Sequence, residues 1–534
     1  MASVPVLGRM AAAALLFVVA AAPVYAHGSL PPTHLGRADK LEIGMPDSNL
    51  SVDPAMASDA ANVEFADLLY SGLVRLGARY QVVAADAARY TLSRDGETYT
   101  FYLRRNLHFS NGDPIVAEDF AFSIQRSLSP SLKSPAAPTY LLDIQGAEKY
   151  LAGKARRVSG IKVLNRYVLQ ITTRWPAPYF LLELTYPTSF ALDSARLRKL
   201  GPVDDFSWYS HPISSGPYRL YQWTSDNTIL LVANKHAPSP PATPRVVISL
   251  TSLPATGLYS YLSRSVDVAT LPSFAGSLLP KPGIHQVRML AIDGIYMNLR
   301  RVPFSSLAFR RALAMSINRS DDVGKSFHAA ATPFSGYVPP GEDGFDPQLK
   351  APPYDAAEAR TQLSSVHPRP RGITLSYATD DPSQYWLARA IARDWQRNLH
   401  IGVALQGLTL NTLYVKAQAG QLPLYIFGWS ADYPSPHDWL ALQWETDALD
   451  NNVHYHNPQF DRLVEAGDAT WDPKRRDILY RQAQQVLADD VAWIPLYVPH
   501  QLDYIRPTVQ NVTATGYGVI PRDGSWGWVW KTGR

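Results

Sequence analysis

A hairpin followed by a helix, within residues 86–127, is the feature that most constrains the fold of this chain. Two runs of alternating apolar and polar residues flank Asp95 and Gly96, and an Asp-Gly pair between such runs is the strongest short signal for a β-hairpin. A turn at 110–114 then precedes Ala117–Ser127, which carries acidic residues in its first turn as helices favour. The alternation predicts a small mixed α/β lobe.

Similar patterns recur along the chain. Two β-rich runs at 161–164 and 167–173 are separated by a turn and could join the hairpin's sheet. Farther on, the strand-like run 373–377, the helical run 385–399 and the strand-like run 402–405 follow one another. This β-α-β order predicts a partly parallel sheet.

Prolines mark two further segments. Residues 236–245 contain four prolines, which fix φ and remove donors, so we expect an exposed connector there. The apolar strand predicted at 492–498 is interrupted by Pro495, which suggests a strand at a sheet edge.

The first 26 residues predict a secretory signal peptide. Arg9 ends a short basic region, residues 10–22 are almost wholly apolar, and residues 24–26 place small side chains at positions −3 and −1 of a cleavage site. We expect the mature chain to begin at His27. Because the chain has 0 Cys, no lipid-bearing Cys follows the signal. These features predict a periplasmic protein without a lipid anchor.

Chain length and net charge limit the number of lobes and the kinds of partner. The 534 residues exceed what one hydrophobic core holds, about 250 to 300 residues, so two or three lobes are expected. The formal net charge is only +4, without a dense basic run, which argues against nucleic acid as a partner. The 29 Tyr and 13 Trp supply rigid rings with polar tips that suit a roomy cleft.

The segment 427–436, Phe-Gly-Trp-Ser-Ala-Asp-Tyr-Pro-Ser-Pro, contains the leading candidate for a ligand contact. It places the carboxylate of Asp432 between aromatic rings and turn residues, where it could hold an isolated cation. A Tyr-Pro turn preceded by Asp is also common at protein surfaces, so the hypothesis depends on the rest of the chain.

Several ordered blocks, spread through nearly the whole mature chain, resemble the family 5 extracytoplasmic solute-binding proteins of ABC importers, the oligopeptide, dipeptide and nickel receptors. The oligopeptide branch is the most similar. The blocks are Val52-Asp-Pro54, Phe65–Leu73, Asp95–Phe120 with Gln125-Arg126, Ser215–Tyr218, Asn234, Asn298, Pro303-Phe304, Arg310–Ala312, Ile317–Arg319 and Tyr354-Asp355.

The resemblance implies an α/β fold, a two-lobed periplasmic-binding-protein clamp of the class II type. It implies three domains, mixed sheets flanked by helices and a hinge between the lobes, with the ligand between them. The implied boundaries are a signal peptide at 1–26, domain I from 27–70 with 194–295 and 501–534, domain II at 71–193 and domain III at 296–500.

The same resemblance implies the site. In the oligopeptide branch an Asp in the segment matching Trp429–Tyr433 receives the peptide's α-amino group, and here that residue is Asp432. Trp429 would form a pocket wall, with Tyr433 beside the Asp. Backbone groups would run along the ligand main chain like an added β-strand; they belong to Gly428, Ser430, Ser58, Asp59 and Ala60.

Two departures from the family pattern leave ligand length open. Some oligopeptide receptors carry an Arg six residues before the Asp to hold a carboxylate terminus, and this chain has Ile426. An aromatic residue found after the matching Ser-Pro is Ala136 here. Possible substitutes for the missing Arg are Arg389, Arg393 and Lys416.

The expected function is therefore that of a receptor without catalysis, cofactor or metal. It would capture short peptides, close around them as a monomer and deliver them to an ABC permease and ATPase at the inner membrane. The alternatives are a receptor of the same fold for a nickel chelate, haem or sugar, and an exported peptide-binding chaperone or sensor. An exported hydrolase is disfavoured because Gly324-Lys-Ser326 and Gly516-Tyr-Gly518 are incomplete nucleotide motifs, and His454 with His456 does not complete a zinc site.

Overall fold

The computed structural model describes residues 39–46, 50–77, 79–224, 227–251, 254–272, 282–522 and 525–532. The signal peptide predicted at 1–26 lies outside these residues. The strands are β1 (Lys40–Pro46), β2 (Val74–Leu76), β3 (Val82–Ala84), β4 (Ala87–Leu92), β5 (Thr98–Leu103), β6 (Ile161–Asn165), β7 (Val168–Thr172), β8 (Tyr218–Trp223), β9 (Thr228–Ala233), β10 (Arg245–Thr251), β11 (Val268–Leu271), β12 (Ile284–Arg288), β13 (Ala291–Met297), β14 (Ala331–Pro333), β15 (Gly372–Ala378), β16 (Gly402–Leu408), β17 (Leu424–Ser430), β18 (Trp493–Ile505), β19 (Val509–Gln510), β20 (Val512–Thr515), β21 (Gly518–Pro521) and β22 (Trp530–Lys531).

Helices accompany the strands along the whole described chain. They are α1 (Ala60–Leu69), α2 (Ala117–Ser127), α3 (Ala137–Leu141), α4 (Ala147–Leu151), α5 (Phe180–Glu183), α6 (Ser194–Leu200), α7 (Pro254–Leu262), α8 (Leu307–Met315), α9 (Arg319–Phe327), α10 (Ala356–Ser364), α11 (Pro382–Leu399), α12 (Leu410–Gln418), α13 (Pro436–Trp444), α14 (Pro458–Asp468) and α15 (Pro473–Asp489).

One large mixed sheet connects the two ends of the molecule. Its strand order is β16-β15-β17-β13-β18-β11-β1-β10-β9-β8. We call β11, β1, β10, β9 and β8 the first half-sheet, and β13, β17, β15 and β16 the second half-sheet. The long strand β18 joins them, because its residues 493–497 pair with β13 and its residues 502–505 pair with β11. A hinge between two lobes would therefore involve β18.

The expectation that Pro495 marks an edge strand is wrong. Strand β18 lies in the centre of the sheet, and Pro495 is opposite Gly294 where the register between β13 and β18 shifts. A proline has no N–H to donate, and such an irregularity is one of the few places where a paired strand accepts it. The carbonyl of Pro495 still accepts a hydrogen bond from Nε of Arg319 at 2.8 Å.

The predicted hairpin and its helix are confirmed. Strands β4 and β5 pair in an antiparallel ladder, and Gly96 takes φ of +79° in the turn between them. Strands β6 and β7 join the same four-stranded sheet in the order β4-β5-β7-β6. Helix α2 buries Phe120 and Ile124 in the core that this sheet shares with α3 and α5. We call residues 73–191 the small-sheet body.

The predicted β-α-β unit is also confirmed. Strands β15 and β16 pair in parallel, from Gly372 opposite Gly402 to Ala378 opposite Leu408, and α11 connects them. Asp381 caps the start of helix α11 by accepting from the backbone N–H of Ser383, and the helix buries Trp395 completely.

The apolar core is divided among these bodies, as a chain of this length requires. Separate clusters of buried side chains lie in the small-sheet body, in the first half-sheet and on both faces of the second half-sheet. The exact domain boundaries stay a prediction. Within the described residues, no helix combines the length and apolar character needed to cross a bilayer.

Candidate ligand site between the lobes

Asp432 lies where the second half-sheet meets the small-sheet body. Strand β17 ends at Ser430, and helix α13 begins after Ser435, whose hydroxyl caps the helix by accepting from His437 N–H. In the intervening turn Asp432 is partly buried, and its Oδ2 accepts a short hydrogen bond from the hydroxyl of Tyr140 in the small-sheet body. The carboxylate therefore faces the space between the two bodies.

Tyr140 belongs to an aromatic pair that connects Asp432 with the start of α1. Its ring stacks on Tyr186 with centroids 3.8 Å apart. Burial raises the pKa of Tyr186 well above its ordinary value, and the carboxylates of Asp432 and then Asp59 add to that rise. Asp59 and Asp432 are thus both within electrostatic range of the Tyr186 hydroxyl.

Asp59 also fixes the first turn of α1. Its side chain accepts from the backbone N–H of Asn62 at 3.0 Å and from the Asn62 side-chain amide at 2.8 Å. Ser58 and Ala60 flank it and are exposed. The structure places Asp59 within electrostatic range of Tyr186, whose partner Tyr140 contacts Asp432, whereas among the described contacts none joins Ser58 or Ala60 to the Asp432 turn.

Asp438 positions Trp429 and Asp432 through hydrogen bonds, and no feature of the sequence had indicated this role. It is fully buried in the first turn of α13. Its Oδ2 accepts from the indole Nε1 of Trp429 at 2.9 Å, and its Oδ1 accepts from the backbone N–H of Asp432 at 3.2 Å. One carboxylate therefore holds both the indole ring and the turn.

Replacing Asp438 with asparagine should weaken ligand binding although Asp438 itself is buried. The amide can accept only one of the two hydrogen bonds, so either Trp429 or the Asp432 turn loses its support. A lost buried hydrogen bond costs about 1 to 3 kcal/mol, and we expect a roughly tenfold or larger rise in Kd. Titration calorimetry measures it, with the exposed Asp447→Asn as the matched control; equal Kd values for the two variants would refute the positioning role.

The backbone of β17 has an open side next to Asp432. Ala431 N–H donates to the carbonyl of Leu290 at 2.8 Å, which extends the antiparallel pairing with β13. Because bonded and non-bonded pairs alternate in such a ladder, the backbone groups of Gly428 and Ser430 point to the other side. There, within the described chain, β17 pairs with β15 only at Tyr425. An extended ligand chain could therefore pair with Gly428 and Ser430.

Packing explains why a glycine suits position 428. A Cβ at this position would lie 1.6 Å from Oδ1 of Asp293 on the neighbouring strand. A larger residue here would displace the carboxylate of Asp293.

Acidic groups surround Asp432. Burial raises its pKa to about 6, the hydrogen bond from Tyr140 lowers it, and the carboxylate of Asp450 raises it again. Burial and then Asp432 raise the pKa of Asp438 well above its ordinary value. Glu342, whose Oε1 accepts from the hydroxyl of Tyr517 at 2.8 Å, also has its pKa raised by burial, to about 7. Among the described residues no Lys or Arg forms an ion pair with any of these four carboxylates.

The remaining predicted residues fall in different places. Tyr433 does not line open space, because its side chain is fully buried in the core of the small-sheet body. Ile426 is 2% exposed and packs in the core of the second half-sheet. Ala136 is buried just before α3.

None of the three cations suggested as substitutes for the missing Arg has a described contact with the Asp432 turn. Arg389 and Arg393 are exposed on α11, and Arg389 lies over the ring of Trp386. Lys416 contacts Gln421 at 3.4 Å.

A metal-binding arrangement is absent from the described part of the chain: no group of three or more His, Asp or Glu side chains is placed to hold a metal ion. His454 and His456 lie in a loop, not on a strand face, and His454 takes φ of +57°.

The sequence matches that of a family of binding proteins over most of its length. The profile of the bacterial extracellular solute-binding proteins, family 5 Middle, matches residues 81–451. The chain therefore belongs to the family 5 extracellular solute-binding proteins.

Two relatives from the family differ in the ligand that their names state. The periplasmic oligopeptide-binding protein OppA of Salmonella typhimurium is 28% identical over 443 residues, which cover 79% of this chain and 80% of the relative. The probable deoxycholate-binding periplasmic protein YgiS of Escherichia coli is 27% identical over 511 residues, covering 93% and 94%. The ligand class of this chain therefore has to be argued from its own site.

Solved structures show the same two-lobed fold. Haemophilus influenzae OppA in complex with the peptide RPPGFSPFR superposes with a TM-score of 0.79 at 22% identity, covering 93% of this chain and all of that one. The unliganded open form of the murein tripeptide-binding protein MppA gives 0.72 at 23% identity, covering 94% and 99%.

Proposed function

We propose that this protein captures short peptides between its lobes by their amino termini and delivers them to an ABC permease and ATPase. The observation that supports this most is Asp432, a partly buried carboxylate between the lobes with a hydroxyl donor but, among the described residues, no basic partner. A buried carboxylate is costly unless a cation meets it. The α-ammonium group of a peptide supplies that cation.

The charge of the cleft favours a peptide amine over an anionic solute. A deoxycholate-like ligand carries a carboxylate and would lie beside Asp432, which ionises above its pKa of about 6, and beside the carboxyl groups of Asp438, Asp450 and Glu342, none of which supplies a positive charge. A carboxylate enclosed beside another carboxylate without a cation is strongly disfavoured. Ile426, buried where some relatives carry Arg, leaves that position without a cation for a ligand carboxylate.

The open side of β17 supports an extended ligand. Gly428 and Ser430 present backbone donors and acceptors beside Asp432, and pairing with them fixes the ligand's register without selecting its side chains. Trp429, held by Asp438 at 2.9 Å, would supply the adjacent apolar wall. Ser58, Asp59 and Ala60 would meet the ligand from the other lobe, so that a ligand contacting both sides favours closure.

The proposal includes the three domains with the boundaries given above, export to the periplasm and action as a monomer. The protein would carry out no chemistry, because the site combines binding groups without a nucleophile and base in contact.

The amino-terminus hypothesis predicts that acetylation of the peptide weakens binding strongly. The secreted protein is unfolded, refolded to remove bound cargo, and titrated by calorimetry with di- to hexapeptides carrying free or acetylated amino termini. We expect free peptides to bind and acetylated ones to lose about 2 to 5 kcal/mol, because acetylation removes the charge that Asp432 needs. Equal affinity for both sets would refute the role of Asp432, and no binding to either set would refute a peptide receptor.

A further inference from the structure

His437 is a buried histidine at the contact between the lobes, and no role in the proposed ligand site has been given to it. It occupies the first turn of α13 and is 6% exposed. Its Nδ1 lies 2.9 Å from Oδ1 of Asp468 on the same lobe, and its Nε2 lies 3.9 Å from Oε1 of Glu183 in the small-sheet body. Its ring stacks on Tyr179 of the small-sheet body with centroids 3.6 Å apart. The imidazole thus sits between acceptors on both sides of the contact.

The surroundings of His437 are almost entirely acidic or neutral. The hydroxyl of Tyr179 donates to Asp143 at 2.6 Å, and the hydroxyl of Tyr480 donates to Asp468 at 2.5 Å. Arg174 lies at the rim, 3.8 Å from Asp143. The ionisable groups around the imidazole are Asp143, Arg174, Tyr179, Glu183, Tyr433, Glu445, Asp468 and Tyr480.

We propose that His437 is a proton-dependent latch between the lobes, with the imidazolium form holding Asp468 on its own lobe and Glu183 with Asp143 on the other. A neutral imidazole carries no charge, whereas the imidazolium places a positive charge 2.9 Å from Oδ1 of Asp468 and 3.9 Å from Oε1 of Glu183, where the attraction to Glu183 is electrostatic and not a hydrogen bond. Without the positive charge of His437, Glu183, which is 1% exposed, faces Asp143 and Asp468, and Arg174 contacts Asp143 only from the rim, at 3.8 Å. Loss of the proton therefore weakens closure.

The pKa values of His437 and Glu183 are both shifted upward. Burial acts to lower the pKa of His437, but the carboxylates of Asp468, Asp143 and Glu445 outweigh it and raise the pKa. Burial raises the pKa of Glu183 well above its ordinary value, and Asp143 and Asp468 add to the rise. Groups with a raised pKa in the closed form stabilise it at low pH, and this contribution is lost as pH rises through that pKa. Closure therefore takes up protons.

Lobe closure can be measured without any ligand, because the chain has 0 Cys and accepts two introduced ones. Dyes attached at the exposed positions Lys154 and Ser365, on the two sides of the contact, report closure by energy transfer. We expect the closed fraction to fall from pH 6.5 to pH 8.5 in the parent protein and to change less in His437→Gln. His456→Gln, an exposed histidine on the same lobe, is the control. The same pH response in His437→Gln and the parent would overturn the latch.

Peptide affinity gives a second measurement, which rests on the proposed function. Uptake of one proton changes Kd by up to about tenfold per pH unit, so we expect affinity to fall by about three- to tenfold more in the parent than in His437→Gln between pH 6.5 and 8.5. The same peptide is used with both proteins, so protonation of its own amine contributes equally to the two changes in Kd. Absence of peptide binding would count against the proposed function alone, since the dye measurement needs no ligand.

A second variant tests the proposal if the first does not fold. If His437→Gln unfolds, Glu183→Gln tests the other side of the latch, because its amide resembles the protonated carboxyl and should reduce the pH response of closure. A full response in Glu183→Gln would overturn the proposal.

Discussion

Asp432→Ala is expected to weaken peptide binding by about 2 to 5 kcal/mol, which corresponds to a rise in Kd of about thirtyfold to a few thousandfold. The loss follows from geometry: Asp432 is the carboxylate that faces the other lobe, and the Tyr140 hydroxyl that donates to it cannot replace a positive ligand group. Without the carboxylate, the peptide ammonium would be enclosed with no counter-ion at that point.

Matched variants separate this charge effect from structural damage. Asp432→Asn keeps the volume and removes the charge, so it should lose most of the same affinity. Tyr140→Phe removes the donor and keeps the carboxylate, so its peptide affinity should change by less than about tenfold. Calorimetry with one free and one acetylated peptide distinguishes the cases. An Asp432→Ala protein that binds the free peptide as tightly as the parent would remove Asp432 from the site.

The local elements of this fold were predictable because their signals are local. The hairpin turn at Asp95 and Gly96 and the helix Ala117–Ser127 depend on alternation, turn residues and acids in the first helical turn. The β15-α11-β16 unit follows from the same reasoning. The prediction of an edge strand from Pro495 was wrong because a proline indicates only that pairing is interrupted. It does not distinguish an edge strand from an irregularity in a central strand.

The composition of the site was predictable only in part, because its groups come from distant parts of the chain. Tyr140 and Asp432 are 292 positions apart, and no short pattern connects them. Asp438 reads as an ordinary acid in the first turn of a helix, a common position, until its contacts with Trp429 and the Asp432 turn are seen. Tyr433 belongs to the expected motif, yet the lobe contact buries it in the opposite core.

Arg126→Met is expected to lower the free energy of unfolding by about 3 to 5 kcal/mol, because it leaves the carboxylate of Asp53 buried without its cation. The two side chains are 2% and 0% exposed and form two parallel hydrogen bonds, at 2.9 Å and 2.7 Å. The hydroxyl of Tyr209 and the N–H of Ala55 also bond to Asp53, at 3.0 Å and 3.1 Å. The pair fastens the loop at residues 52–57, which contains Asp53 and Pro54, to helix α2.

The double variant shows whether a stranded charge, and not lost packing, causes the damage. Asp53→Asn with Arg126→Met leaves no buried charge, so the loss of unfolding free energy in the double variant, measured by chemical denaturation, should be smaller than the sum of the two single losses by about 0.5 to 3 kcal/mol. Lys325→Met, which breaks the exposed ion pair with Asp321, should cost about 0 to 1 kcal/mol. Arg126→Met losing no more than Lys325→Met would show that the loop is held by other contacts. Since Ser58, Asp59 and Ala60 follow directly after this loop, its release should also weaken peptide binding in protein that is still folded.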